Sequence, residues 1–244
     1  MNDKTARAGH VVLVAGGTGN IGEELVRAFL QDGATVAVPS RSAKKLDKLE
    51  KFLGNDASDR LVKIVGDVSD PKDADRVRRE VLKLTGRIDA VAASLGGWWQ
   101  GETLMNASLS TWNELLQNML TSHFVAAQAF IPALLKHGGA YTFINGLASE
   151  WPVPLAGPVS VATAGQLMLG RALAFELEQT NVRVNEMVLG AVMTRVRGGK
   201  GEPEWLTGEE VGDFVVRLSF ESETRGEVFR LVQRDDLAAA RAML

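Results

Sequence analysis

A short apolar run, Val11 to Ala15, leads into Gly16-Gly17-Thr18-Gly19-Asn20-Ile21-Gly22, and a helical pattern begins at once. Glycines at a strand-to-helix junction let the backbone turn sharply and approach a pyrophosphate, whose charge the helix N-terminus then meets. The same residues also suit a plain tight turn. Position favours the dinucleotide, because the loop follows a strand, opens a helix and lies early in the chain. At the end of the second apolar run stand Ser40-Arg41-Ser42, with Lys44 and Lys45 just beyond. An acidic residue there would hold the ribose 2′-hydroxyl of NAD, whereas a guanidinium with its donor fork suits the 2′-phosphate of NADP. A solvated basic helix start is the alternative. The expectation taken forward is NADP(H) in preference to NAD(H).

Groups able to move a proton are scarce. The chain has one tyrosine, Tyr141, inside a strand-like run, and no cysteine, so thiol catalysis and disulfides are excluded. His123 has an ordinary pKa suited to acid–base work, yet it sits on an apolar helix, where a core or interface histidine is the usual finding. Glu150, in the loop after the fifth strand-like run, and Glu186, in the sixth, are carboxylates, and each also reads as a hydrogen-bonded or solvated group. No metal is expected. Trp98, Trp99, Trp151 and Trp205 fall on loops at the ligand-facing edge and suit an apolar, planar ligand, or else anchor those loops to the core. Arg195 and Arg197 either meet an anion or are surface charges.

The elements that must position these residues alternate along the whole chain. Val11 to Ala15, Thr35 to Val38, Leu61 to Val65, Ile88 to Ala93, Tyr141 to Ile144, Val182 to Val188 and Glu227 to Val232 read as strands. Most are continuously apolar, as parallel strands covered on both faces should be. Between them lie helical stripes. Asp70 is an N-cap before Pro71; Ser110 opens a long helix to Leu135; another helix runs from about Val159 to Gln179. Strict alternation predicts an α/β fold: a single-domain, Rossmann-type, doubly wound parallel sheet of about seven strands with helices on both faces. The 244 residues show no linker or repeat, and residues 1–9 read as a flexible N-terminus.

A net charge of −3 argues against a nucleic-acid partner. The uncharged stretches Leu115 to Leu135 and Trp151 to Gly170 carry polar residues and prolines, so they read as buried helices and loops. The expectation is a cytoplasmic protein without a membrane segment.

Gly16, Gly19 and Gly22 resemble the glycine motif of the short-chain dehydrogenase/reductase family, with Asn20 in place of the middle glycine of its commoner form. Asp67-Val68 looks like that family's adenine contact. Asn185, Gly190 and Thr194 match its strand-six Asn, the following Gly and the nicotinamide-contacting Thr. The resemblance covers about Val11 to Val232. It implies a cofactor site built from Gly16, Thr18, Gly19, Asn20, Ile21, Gly22, Ser40, Arg41, Ser42, Asp67, Val68, Ser94, Gly96, Gly190 and Thr194. It also implies a homodimer or homotetramer, formed through the apolar helices around Asn113–Leu135 and Val159–Gln179.

The family's reaction centre uses a Tyr, a Lys four residues later, a Ser and an Asn. Ungapped counting puts Val159, Thr163, Gly146 and Met119 at those positions, with Asn118 one residue away from the Asn position. The Asn-Asn-Ala-Gly motif reads Ala93-Ser94-Leu95-Gly96, and Leu189 replaces the Pro before Gly190. A free tyrosine has a pKa near ~10 and needs a neighbouring cation to act at neutral pH, and no register supplies that pair. Ser149, Ser160 and Thr163 remain as neutral hydroxyls. Three readings stay open: a non-catalytic NADP(H)-binding protein, sensor or accessory subunit; an oxidoreductase on a carbonyl or alcohol with another donor; and an enzyme of another class using an apolar pocket.

Overall fold

The computed structural model describes residues 7–244. Seven parallel strands form one sheet in the order β3-β2-β1-β4-β5-β6-β9. In chain order the elements are β1 (Val11–Ala15), α1 (Gly22–Gln31), β2 (Thr35–Ser40), α2 (Ala43–Leu53), β3 (Leu61–Val65) and α3 (Pro71–Thr85). After these come β4 (Ala90–Ala93), α4 (Leu109–Leu116), α5 (Ser122–Leu134), β5 (Gly139–Gly146), α6 (Gly157–Glu176) and β6 (Val182–Leu189). The chain ends with β7 (Val192–Met193), β8 (Leu206–Thr207), α7 (Gly208–Phe220), β9 (Val228–Leu231) and α8 (Asp236–Arg241). β7 and β8 pair only with each other, as a small parallel flap.

Alternation of side chains along each strand sends two separate hydrophobic sets to the two faces. Val12 and Val14 of β1 pack with Leu25 and Phe29 of α1 and Phe214 of α7. Val11, Leu13 and Ala15 face the other way, toward Val77 of α3, Phe130 of α5 and Tyr141 of β5. All five residues of β1 are buried, which is why the run is apolar without a break. No helix among the described residues is long and apolar enough to cross a membrane.

Two local expectations need correction. The long helix from Ser110 is two helices, α4 and α5, joined by a π-type stretch over Gln117–Thr121. Its cap is Ser108, whose hydroxyl accepts from Thr111 N at 3.0 Å; Ser110 lies inside the helix. Of the N-terminal stretch, residues 1–6 lie outside the described residues. Arg7 N–H donates to Asp32 O at 3.1 Å and its guanidinium lies 4.7 Å from the Phe220 ring.

The two serines give a clean comparison. Ser108→Ala should cost about 1 kcal/mol by removing an N-cap, while Ser110→Ala should stay within about 0.5 kcal/mol; urea denaturation of both variants measures it.

Candidate functional site

The strand order reverses between β2 and β4, on either side of β1, so the loops leaving the carboxyl ends of β1 and β4 diverge over a crevice. There the backbones run nearly in contact. Ser94 N donates to Ala15 O at 2.9 Å. Gly16 has φ +80°, and a Cβ on it would strike the Ser94 carbonyl. A Cβ on Gly22 would in turn strike the Gly16 carbonyl, so this glycine does not line the crevice but lets α1 start against the loop.

The crevice is one groove made of two cavities, of about 540 and about 480 Å3, that share Ser94, Leu95, Gly97, Trp98 and Met119. The first holds Gly16, Thr18, Gly19, Ser40, Arg41, Ser42, Val68 and Gly96, with Lys45 beside them. Thr18 and Ser40 hydroxyls lie 3.4 Å apart, and Ser42 caps α2 by accepting from Lys45 N. Hydroxyls, a helix N-terminus and two cations thus converge on one end, a set that fits a phosphate group. Asp67 is the residue that does not join them. Its carboxylate accepts from Ser69 N and Oγ, at 2.9 and 2.6 Å, and lies 4.0 Å from the Arg41 guanidinium; its neighbours Gly66 and Val68 line the wall instead.

The second cavity holds Asn20, Ile21, Gly190 and Thr194 together with Met119, Gly146, Val159 and Thr163. Gly190 has no room for a Cβ against the Val232 carbonyl. Thr163 Oγ1 donates back to Val159 O at 2.7 Å. Sequence reasoning missed Asn145 and Gln166, which also line this wall. Asn145 Nδ2 donates to Thr163 O at 3.0 Å and to Glu186 Oε1 at 2.8 Å, and Gln166 Nε2 donates to Ile144 O. An amide near the carboxyl end of an otherwise apolar strand was the available signal, because that end faces the crevice.

Of the remaining candidates, Tyr141, His123 and Glu150 lie outside the groove walls. Tyr141 is buried in β5 with its ring 4.8 Å from that of Phe143, and burial pushes its phenol above its ordinary value. His123 is buried too. Its Nε2–H donates to Leu95 O at 3.2 Å, and burial, only partly opposed by that bond, lowers its pKa to about 4, so the ring is neutral at pH 7 and holds the β4 loop. Glu150 pairs with Arg230 at 2.7 Å. Among the tryptophans, Trp98 and Trp99 reach the groove, whereas Trp151 is 65% exposed and Trp205 lies under the Arg197 guanidinium. Arg195 grips Glu23 of α1 through two bonds of 2.9 Å, and Arg197 lines the second cavity.

Residues 10–205 match the family model described as short chain dehydrogenase, so the chain belongs to the short-chain dehydrogenase/reductase family. It is 29% identical over 185 residues to dehydrogenase/reductase SDR family member 4 of Bos taurus, covering 75% of this chain and 66% of that one. It is 32% identical over 195 residues to cis-2,3-dihydrobiphenyl-2,3-diol dehydrogenase of Paraburkholderia xenovorans (strain LB400), covering 78% and 68%. The matched stretch thus spans about two thirds of these relatives' length. The fold superimposes on ElxO, solved with NADP bound, with a TM-score of 0.83 at 18% identity, over 91% of this chain and 96% of that one.

Under the groove floor, burial raises the Glu186 pKa from 4.5 to about 7, although the bond from Asn145 works the other way. Arg171 lowers it and Glu150, itself paired with Arg230, raises it more weakly. The folded state holds this proton more tightly than the unfolded chain does. Its stabilising contribution is therefore complete below pH 4.5 and is lost as pH rises through about 7. Glu186→Gln should flatten the pH dependence of unfolding free energy across that window by a few kcal/mol, read from denaturant titrations between pH 4.5 and 8.

Proposed function

We propose that this chain binds NADP(H) and has lost the family's usual proton transfer, acting as a cofactor-binding, sensor or accessory protein. The observation that carries this reading is the chemistry of the second cavity. Among its lining residues the one ionisable side chain is Arg197, a group too basic to give up a proton at neutral pH. Met119, Gly146, Val159 and Thr163 stand where the family resemblance places Asn, Ser, Tyr and Lys. Bound NADP(H) would supply hydride exchange; the protein side would orient the nicotinamide through Gly190 and Thr194 and hold the 2′-phosphate through Arg41, Ser40 and Ser42. Losing a positioned general acid costs on the order of 10²–10⁴-fold in rate.

Charge-assisted bonds of about 1.5–3 kcal/mol to the 2′-phosphate imply NADPH binding at least about tenfold tighter than NADH. Arg41→Ala should remove most of that gap in a fluorescence titration; equal affinity of the unaltered protein for both nucleotides would refute the assignment. NADPH consumption should stay flat against a panel of aldehydes, ketones and quinones. Sustained oxidation with any of them would instead support a divergent oxidoreductase.

The partner proposed for the surface is a second copy of the chain. Val161, Met168 and Phe175 recur at seven-residue spacing along α6 and are 42%, 59% and 79% exposed, an apolar stripe that a lone chain leaves in water. Phe175→Glu should shift the protein toward monomer in sedimentation velocity runs, without changing NADPH affinity.

A further inference from the structure

Two arginines stand on one turn of chain, of which Arg197 lines the second cavity, and their circumstances differ. Arg195 is neutralised by Glu23, a carboxylate 3% exposed that holds it with both oxygens. Arg197, two residues on, has no carboxylate within 4.0 Å among the described residues. Its guanidinium lies 5.1 Å from the Trp205 ring centroid. Stacking on an indole restricts an arginine while leaving the edge of its donor fork open to a carboxylate.

Apart from the short polar side chains of Asn20, Ser94 and Thr194, the rest of that cavity is apolar or already committed. Trp98, Met119, Val153, Val159 and Leu189 form hydrophobic wall. The amide N–H groups of Asn145 and Gln166 and the Thr163 hydroxyl donate to partners within the protein. The one uncommitted charge therefore sits beside a hydrophobic surface. A phosphate-bearing group has a better seat at the opposite end of the groove, between Arg41 and Lys45. A neutral apolar molecule would fill the cavity and leave the exposed guanidinium to water alone.

We infer that the second cavity takes an apolar carboxylate, its hydrocarbon body against Met119 and Val159 and its carboxylate on the Arg197 fork. The inference names the ligand class of the site proposed above and rests on that reading, since the nicotinamide half of the cofactor shares the cavity. No bond is made or broken in this binding step.

The test uses 2-naphthoate and its uncharged counterpart methyl 2-naphthoate, titrated by calorimetry into protein with and without saturating NADP+. The NADPH affinity of each variant is measured beforehand. The unaltered protein should bind 2-naphthoate about tenfold or more tighter than the ester, the size of one good charge-assisted contact. Arg197→Leu should erase the difference and leave the NADPH dissociation constant within about twofold. Equal affinity for acid and ester, or binding of neither, overturns the inference. So does an Arg197→Leu protein that loses NADPH by the same factor as naphthoate, which would assign the arginine to the cofactor's phosphates. Failure of NADPH itself to bind the unaltered protein overturns the cofactor reading alone, because the naphthoate comparison without nucleotide still reports on Arg197.

Discussion

The groove depends on how closely two pieces of backbone must pass beyond the ends of β1 and β4. The bond from Ser94 N to Ala15 O extends the parallel pairing one step past the sheet and holds the two departing loops together. That approach leaves hydrogen alone at the Gly16 Cα, in a left-handed conformation, and the turn it makes brings Gly22 against the Gly16 carbonyl. The cradle is thus a consequence of sheet geometry before it is a property of any ligand. A side chain at either glycine would separate the strands' ends or displace the start of α1, so the loop and the sheet stand or fall as a unit.

The electrostatics of the loop follow from a second constraint. The first turn of α1 carries Glu23 and Glu24, both buried, at the helix end that ought to welcome an anion. Each is answered by an arginine: Arg195 on Glu23 at 2.9 Å, and Arg27 on Glu24 at 3.0 Å. Burial still raises the Glu24 carboxyl, with Arg27 the main force opposing it. Both arginines also lie against the Phe52 ring, at 5.3 and 4.0 Å from its centroid, which fixes them from α2. Carboxylates desolvated in this way are costly unless paired. The pairing leaves the glycine loop free of uncompensated negative charge and ties the segment after β7 to the cofactor side of the groove.

The sheet was readable because parallel strands buried on both faces leave a one-dimensional trace, an apolar run of a few residues between helix signals. The glycine loop was readable because its turn between strand and helix depends on neighbours in sequence. Other features had no local signature. The π stretch at Gln117–Thr121 contains neither Gly nor Pro, so its apolar periodicity continues smoothly from α4 into α5. Ser108 and Ser110 differ only in which hydroxyl meets a free N–H, and that depends on where the preceding loop ends. Arg195 and Glu23 are 172 residues apart, and nothing near either one announces the other. Glu186 reads as one polar residue in a strand; its burial beneath α6, where a Cβ on Gly170 would come within 2.6 Å of its Oε2, is a fact of packing.

That separation between architectural and side-chain constraints explains how a cofactor cradle can persist beside an altered reaction centre, on the reading proposed for this chain. Met119 and Val159 are 3% and 2% exposed and pack with Leu115, Ala148, Ala156 and Ala162 in a small hydrophobic cluster of their own. On that reading, the residues at the positions the resemblance assigns to the family's Asn and Tyr are mutually supporting core. Within such a cluster a single phenol or amide would be desolvated without an assured partner, at a cost on the order of 1–3 kcal/mol. Restoring one polar group alone would weaken the fold before it restored any chemistry, whereas each apolar residue is stabilised by the others. The glycines allow no such drift, since a Cβ at Gly16 or Gly22 meets backbone that cannot yield without moving the sheet or α1. The two halves of the groove are thus held by different forces, one by backbone geometry and the other by the packing of interchangeable side chains, and only the second can be rebuilt while the first stays in place.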